Sequence, residues 1–158
     1  MPESSAGIVL YRRTGAKAEV LLVHMGGPYW AGKDEGAWSI PKGLTESGEH
    51  PLVAAKREFE EETGGQVPAG DYINLGAFQY SSGKTVTAFA IEGDFDLALF
   101  KSVTFSLEWP PRSGKRQSFP EADRGGWFKL SEAKKKVVRG QAPILAALEA
   151  HLAVLPVG

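Results

Sequence analysis

The chain has 158 residues, 18 Lys and Arg against 19 Asp and Glu, 42% apolar residues and no Cys, the balance of an ordinary globular protein rather than a disordered or fibrous one. Without cysteine there is no disulfide, thiol nucleophile, Cys-ligated zinc or iron–sulfur cluster, so any chemistry rests on oxygen and nitrogen groups. The start, MPESSAGIVLYRR, has no basic segment leading a long apolar run, and no window approaches the roughly 18 apolar residues of a membrane span; the expectation is one soluble, cytoplasmic domain over residues 1–158.

In chain order, Ile8-Val9-Leu10 and Val20-Leu21-Leu22-Val23 are short aliphatic runs on either side of Thr14-Gly15, which predicts an N-terminal hairpin. Gly26 to Gly36 reads as a long loop of the kind that often carries function. Trp38-Ser39-Ile40 reads as a brief strand stopped by Pro41. Residues 51–63 are mostly helix formers, with Pro51 suited to the first helical position and Gly64-Gly65 as the stop, which predicts a helix. Residues 72–80 and 85–91 read as strands joined by a loop at 81–84, and residues 103–109 as a strand ended by Pro110-Pro111. Residues 112–117 form a basic turn-rich segment and Trp127-Phe128-Lys129-Leu130 a last short strand. Helices over 131–138 and 143–155 close the chain, the second with an apolar stripe at Ile144, Leu145, Leu148 and Leu152. Strands interrupted by one helix and finished by two more predict an α/β fold, a mixed sheet with helices on both faces.

The formal net charge of −1 conceals an uneven distribution. Residues 46–62 hold six acids, Glu46, Glu49, Glu58, Glu60, Glu61 and Glu62, whereas residues 112–139 hold nine bases against three acids. This pattern fits a cation site and an anion site, or two solvated faces of opposite sign. On a helical wheel started at Leu52, Phe59 and Thr63 return close to Leu52, while Glu61, Glu58 and Glu62 fall at roughly 180°, 240° and 280°. Three carboxylates therefore share one arc, and Glu60 points elsewhere. Like charges at this spacing repel by a few tenths of a kcal/mol per pair. Either surface cations such as Arg57 offset that cost, or a hard divalent cation does so, because Mg²⁺ takes oxygen ligands and keeps water positions open. Spacing alone leaves both readings standing.

The frame around the helix goes further. Gly43, then five residues, Glu49, seven residues, and Arg57-Glu58-Phe59-Glu60-Glu61-Glu62-Thr63-Gly64 resembles the 23-residue box of the Nudix hydrolase family. Its last position, an aliphatic residue in the family, is Gly65 here, with Val67 nearby to take over the packing. The resemblance implies a Nudix-type α/β/α sandwich and hydrolysis of a phosphoanhydride bond in a nucleoside diphosphate linked to another group. By position it implies that Glu58, Glu61 and Glu62 hold Mg²⁺ or Mn²⁺ with the Gly43 carbonyl, that Arg57 orients the carboxylates and Glu49 the loop, and that Glu58 or Glu61 acts as general base. Members often add a carboxylate from a later loop; Glu121 is the candidate and Asp123 the reserve, against the reading of Glu121 as a solvated charge beside Arg124.

Trp38-Ser39-Ile40-Pro41-Lys42-Gly43, followed by Glu46, Gly48 and Glu49, resembles the opening found in Nudix enzymes of dinucleoside polyphosphates and diphosphoinositol polyphosphates. It implies that Lys42 contacts phosphate. Tyr80 stands near the position of a tyrosine marker of diadenosine tetraphosphate hydrolases, implying base stacking, and Lys84 follows in the same hairpin. Arg112, Lys115 and Arg116 are cations suited to polyphosphate, or charges of a solvated loop. Lys134 to Lys136 read as a solvated face. Tyr29 and Trp30 are base-pocket or loop-anchoring aromatics, and His24, His50 and His151 show no ligand spacing. The expected activity is metal-dependent pyrophosphohydrolysis of a dinucleoside polyphosphate or nucleoside triphosphate, with a small-molecule nucleotide as substrate and neither a membrane nor a stable nucleic-acid partner. The alternatives are a MutT-like nucleotide-sanitising enzyme, an RNA 5′-pyrophosphohydrolase, or a non-catalytic nucleotide sensor.

Overall fold

The computed structural model describes residues 4–14 and 17–154. The turn expected at Gly15 and the helix end expected at Leu155 lie outside the described residues. β1 (Ser4–Thr14) and β2 (Lys17–Met25) pair antiparallel, as their aliphatic runs predict. β1 is also flanked along its length by the parallel strand β6 (Thr85–Glu92), which pairs antiparallel with β5 (Ile73–Gln79). β3 (Trp38–Ser39) and β9 (Ala122–Lys129) pair with β2, while β4 (Lys42–Leu44) pairs with the start of β1. Among the described residues these make a mixed seven-stranded sheet. β7 (Thr104–Glu108) and β8 (Arg116–Pro120) form a separate two-stranded hairpin.

The strand at the centre is apolar on both sides because both faces are covered. Ile8 and Leu10 of β1, with Leu21 of β2, pack against Ala54, Ala55 and Phe59 of α1 (Pro51–Thr63). Val9 and Tyr11, with Val20 and Leu22, point the other way, as the two-residue period of a strand requires. They meet Ala133 of α2 (Leu130–Lys136) and Ile144, Leu145 and Leu148 of α3 (Ala142–Ala153). The result is the expected sandwich of a mixed sheet between helices. No helix among the described residues is long and apolar enough to cross a membrane.

α1 has the predicted bounds. The His50 ring accepts a hydrogen bond from the Leu52 N–H at 3.1 Å, Pro51 opens the helix, and Gly64 ends it at φ 77°, a left-handed conformation that favours glycine. At Gly65 an added Cβ would lie 2.3 Å from the Phe95 ring. Phe95 and Val67, both packed on the α1 side of the core, therefore fill the place of the aliphatic residue that closes the family box. Three strands differ from expectation. β4 follows Pro41, where no strand was expected, because residues 42–44 pair with the start of β1. β8 occupies part of the segment read as a basic turn, because its residues complete a hairpin with β7 from Thr104↔Pro120 to Glu108↔Arg116. β9 starts five residues before Trp127, since its polar first half is held by pairing to β2.

Buried Gln141 ties the two layers together close to the functional segment. Its Oε1 accepts from the Ile40 N–H at 2.9 Å, and its Nε2 donates to Ser39 Oγ at 2.8 Å and Tyr80 Oη at 3.0 Å. Gln141→Leu keeps the bulk but strands the buried Ile40 N–H, so we expect a loss of about 1–3 kcal/mol in urea unfolding, with Tyr80→Phe costing less because the Ile40 bond survives.

Candidate active site

The acidic face of α1 looks onto the segment that leads into it. Glu58, Glu61 and Glu62 line one cleft of about 380 Å³ with Lys42, Gly43 and Leu44, and across it stand Ser39, Val23, Met25, Val103 and Glu121. That volume is within the range of small-ligand sites. The structure thus brings together all three arc carboxylates, Gly43, Lys42 and the candidate Glu121. Glu60 is exposed and faces away, as the wheel requires.

Arg57 organises the cleft. Its Nε and Nη2 donate to both oxygens of Glu49 at 3.0 Å each, and Nη2 donates also to the Leu44 carbonyl at 3.0 Å. Nη1 donates to Glu58 at 2.8 Å and more loosely to Glu61 at 3.5 Å. A planar guanidinium suits this bidentate geometry. Glu49 in turn accepts the Glu46 N–H at 2.9 Å, and these contacts hold its carboxyl below the usual range. Gly43 lies against Glu58 so closely that an added Cβ would fall 2.1 Å from the carboxyl group. The glycine of the box therefore leaves the Glu58 carboxyl its place beside the loop, from which a side chain at 43 would push it.

Glu121 reaches the cleft through the end of α1. The last carbonyls of a helix have no partner within it; here Lys101 N–H donates to Thr63 O at 2.8 Å and Val103 N–H to Glu61 O at 3.0 Å. The Glu121 N–H then donates to Val103 O at 2.8 Å. Asp123 is used otherwise. It pairs with His24 Nδ1 at 2.9 Å, while His24 Nε2 donates to the Lys33 carbonyl at 2.6 Å. This buried histidine fastens the 26–36 loop to β9, a link for which its sequence spacing carried no signal.

The remaining candidates lie outside the cleft lining. The Tyr80 hydroxyl is bonded to Gln141, and its ring lies so near Gly140 that an added Cβ there would sit 2.3 Å away. It packs on the α2 and α3 side of the sheet. Lys84 is exposed in the β5–β6 hairpin. Arg112 and Lys115 are at the tip of the β7–β8 hairpin, and Arg116 donates to Ser106 Oγ at 3.0 Å. Lys136 departs from a purely solvated face, since it is ion-paired with Asp34 of the 26–36 loop.

The carboxylates repel. Burial raises Glu58 despite Arg57, and burial with the nearby charges of Glu58 and Glu121 pushes Glu62 up to about 8 against the opposing Lys42 N–H, 3.1 Å from its Oε2. Among the described residues no three acids or histidines form a ready ligand set, although Glu58, Glu61, Glu62 and Glu121 line the same cleft. An all-oxygen donor set, a glycine beside Glu58, and a Glu62 carboxyl raised first by burial and then by its acidic neighbours fit a hard divalent cation.

A carboxylate cleft on one face of an α/β/α sandwich defines the class of protein, and comparison with known proteins gives the family. Residues 1–148 match the family model described as NUDIX domain, and the chain belongs to the Nudix family. A curated relative, the octanoyltransferase of Myxococcus xanthus, is 39% identical over 77 residues, 49% of this chain. The matched stretch is only 20% of that relative, so the chain spans a small part of its length. A C. elegans Ap4A hydrolase in a binary complex shares the fold with a TM-score of 0.65 and 23% identity, covering 96% of this chain and 99% of that one. The NUDIX domain of Shewanella oneidensis NrtR complexed with ADP ribose does so with a TM-score of 0.63 and 13% identity, covering 96% and 89%.

The raised Glu62 has a consequence for stability. A carboxyl raised in the folded state keeps its proton while the unfolded chain loses it, so stability falls as pH rises from the ordinary value of 4.5 to about 8 and then levels. The lowered Glu49, Asp34 and Asp94 act only below their ordinary values. In EDTA the melting temperature is expected to fall across pH 5 to 8, and Glu62→Gln to flatten that slope; a slope unchanged in the variant would contradict the assignment.

Proposed function

We propose that this chain is a divalent-cation-dependent hydrolase that cleaves a phosphoanhydride bond in nucleoside polyphosphates, dinucleoside polyphosphates foremost. The observation that carries the reading is the gathering of Glu58, Glu61, Glu62 and Glu121 around one cleft, with Lys42 at its rim. The Ap4A hydrolase among the fold neighbours and the Trp38 to Glu49 opening support the substrate class.

In this reading Glu58, Glu61, Glu62, Glu121 and the Gly43 carbonyl hold Mg²⁺ or Mn²⁺. When bound, such an ion neutralises phosphate charge and lowers the pKa of water. Arg57 keeps Glu58 oriented, and Lys42 meets a phosphate oxygen as a point charge. Glu58 is committed to Arg57 at 2.8 Å, whereas Glu61 is held only at 3.5 Å with its side chain 44% exposed. Glu61 is therefore the better general base. Water adds to phosphorus, its proton passes to Glu61, the bridging P–O bond breaks, and the departing phosphate carries the negative charge.

Turnover of diadenosine tetraphosphate, nucleoside triphosphates, sugar nucleotides and capped RNA, with Mg²⁺ and with EDTA, tests the reading. We expect product only with the cation. Glu61→Gln and Glu62→Gln are each expected to lower kcat by about 10²-fold or more while leaving the melting transition cooperative. Near-normal rates in both variants would remove the assignment, and nucleotide binding without turnover of any substrate would make the chain a sensor.

A further inference from the structure

The β7–β8 hairpin leaves the cleft directly, since Val103 and Glu121 line the cleft and precede and follow its two strands. Residues paired across strands share a face. The pairing Phe105↔Phe119, continued inward by Val103 with Glu121 and outward by Leu107↔Gln117 and the Trp109 N–H to Lys115 O bond, therefore defines a single stripe. It starts at a cleft carboxylate and ends at Trp109. The 26–36 loop runs beside this stripe. A Cβ on Gly26 would fall 1.9 Å from Pro120 O, one on Gly27 3.0 Å from the Phe105 ring, and Tyr29 meets Trp109 edge-on with ring centroids 5.1 Å apart. Tyr29 is nonetheless 58% exposed.

The hairpin tip is built rather than slack. Ser113 N–H donates to Pro110 O, Arg112 N–H to Glu108 Oε1 at 2.8 Å, and Gln117 Nε2 to Trp109 O at 2.9 Å. Residues 104–120 carry Arg112, Lys115 and Arg116 against the single acid Glu108, three positive charges less one. Arg116 belongs to the opposite face and is bound to Ser106. Arg112 and Lys115 form no ion pair among the described residues. An acidic cleft thus continues, over six residues or about 20 Å of extended chain, into an aromatic pair beside two available cations.

From this juxtaposition we propose that Tyr29 and Trp109 bind the base of a second nucleoside, the one beyond the phosphate chain, with Arg112 and Lys115 on its phosphates. The occupant must carry negative charge along its length and a flat ring at its far end, which matches a dinucleoside polyphosphate. Tyr80, the tyrosine expected to stack, is engaged with Gln141 on the other side of the sheet. This inference rests on the hydrolase reading for its substrate but is testable without turnover.

Diadenosine tetraphosphate and ATP serve as probes, for both kinetics with Mg²⁺ and calorimetric binding in EDTA. Trp109→Ala and Tyr29→Ala are each expected to raise KM for diadenosine tetraphosphate about tenfold relative to KM for ATP, the scale of one lost base stack, with kcat for the dinucleotide within about twofold. Trp109→Phe should restore most of the difference, which excludes misfolding as the cause. In EDTA the unmodified protein should bind diadenosine tetraphosphate more tightly than ATP, and Trp109→Ala should erase that preference. Absence of turnover would sink the hydrolase reading while this binding difference still decides the site. Equal losses for both probes, no loss for either, or tighter binding of a single-stranded RNA oligonucleotide than of the dinucleotide would overturn the proposal.

Discussion

One guanidinium fixes the geometry on which the cleft depends. Arg57 projects from the acidic helix and is bonded at once to Glu49, Leu44 O, Glu58 and Glu61, so the loop before the helix and the carboxylates on it cannot move independently. The same loop approaches Glu58 so closely that any side chain at position 43 would displace its carboxyl group from Arg57. A lysine at 57 would bring charge without the planar fork, and would reach fewer of these acceptors. Gly43, Arg57 and the glutamates thus act as one unit, in which hydrogen bonds from Arg57 and the close approach of Gly43 together place Glu58.

A second constraint brings the rest of the site to that unit. The helix end offers the carbonyls of Glu61 and Thr63, and the 101–103 segment answers with its N–H groups. Once Val103 is anchored, pairing delivers Glu121 to the rim of the cleft, and the Gly26 N–H to Glu121 O bond at 2.9 Å draws in the 26–36 loop. His24 and Asp123 hold the far side of that loop, and Lys136 with Asp34 holds it from α2. The loop is therefore tied at several points, which is what allows Tyr29 to stand exposed yet fixed against Trp109.

What the sequence disclosed follows from the range of the interactions. α1 and its carboxylate arc were legible because they depend on residues within three or four positions of one another, and caps and charge faces are local features. The aliphatic strands were legible for the same reason. β8 was not, because residues 116–120 become a strand only by pairing with 104–108, and its composition alone reads as a turn. Glu121 was reached by order along the chain, although the reason for its position is the anchoring of Val103 to the helix end. Tyr80 shows the converse: a residue type and spacing that suit a ligand, engaged by a buried glutamine 61 positions away. The pairing of His24 with Asp123, 99 residues apart, is equally invisible to local pattern.

A formal charge of −1 over the whole chain thus conceals two opposed regions joined end to end, an acidic cleft and a basic aromatic hairpin. Titration of the cation-free protein with Mn²⁺, followed by electron paramagnetic resonance, addresses the cleft most directly because it needs neither substrate nor turnover. The expected result is saturable binding that strengthens as pH rises toward 8 and is abolished by Glu62→Gln. Binding of equal strength in the unmodified protein and the variant would contradict a cation site on this helix.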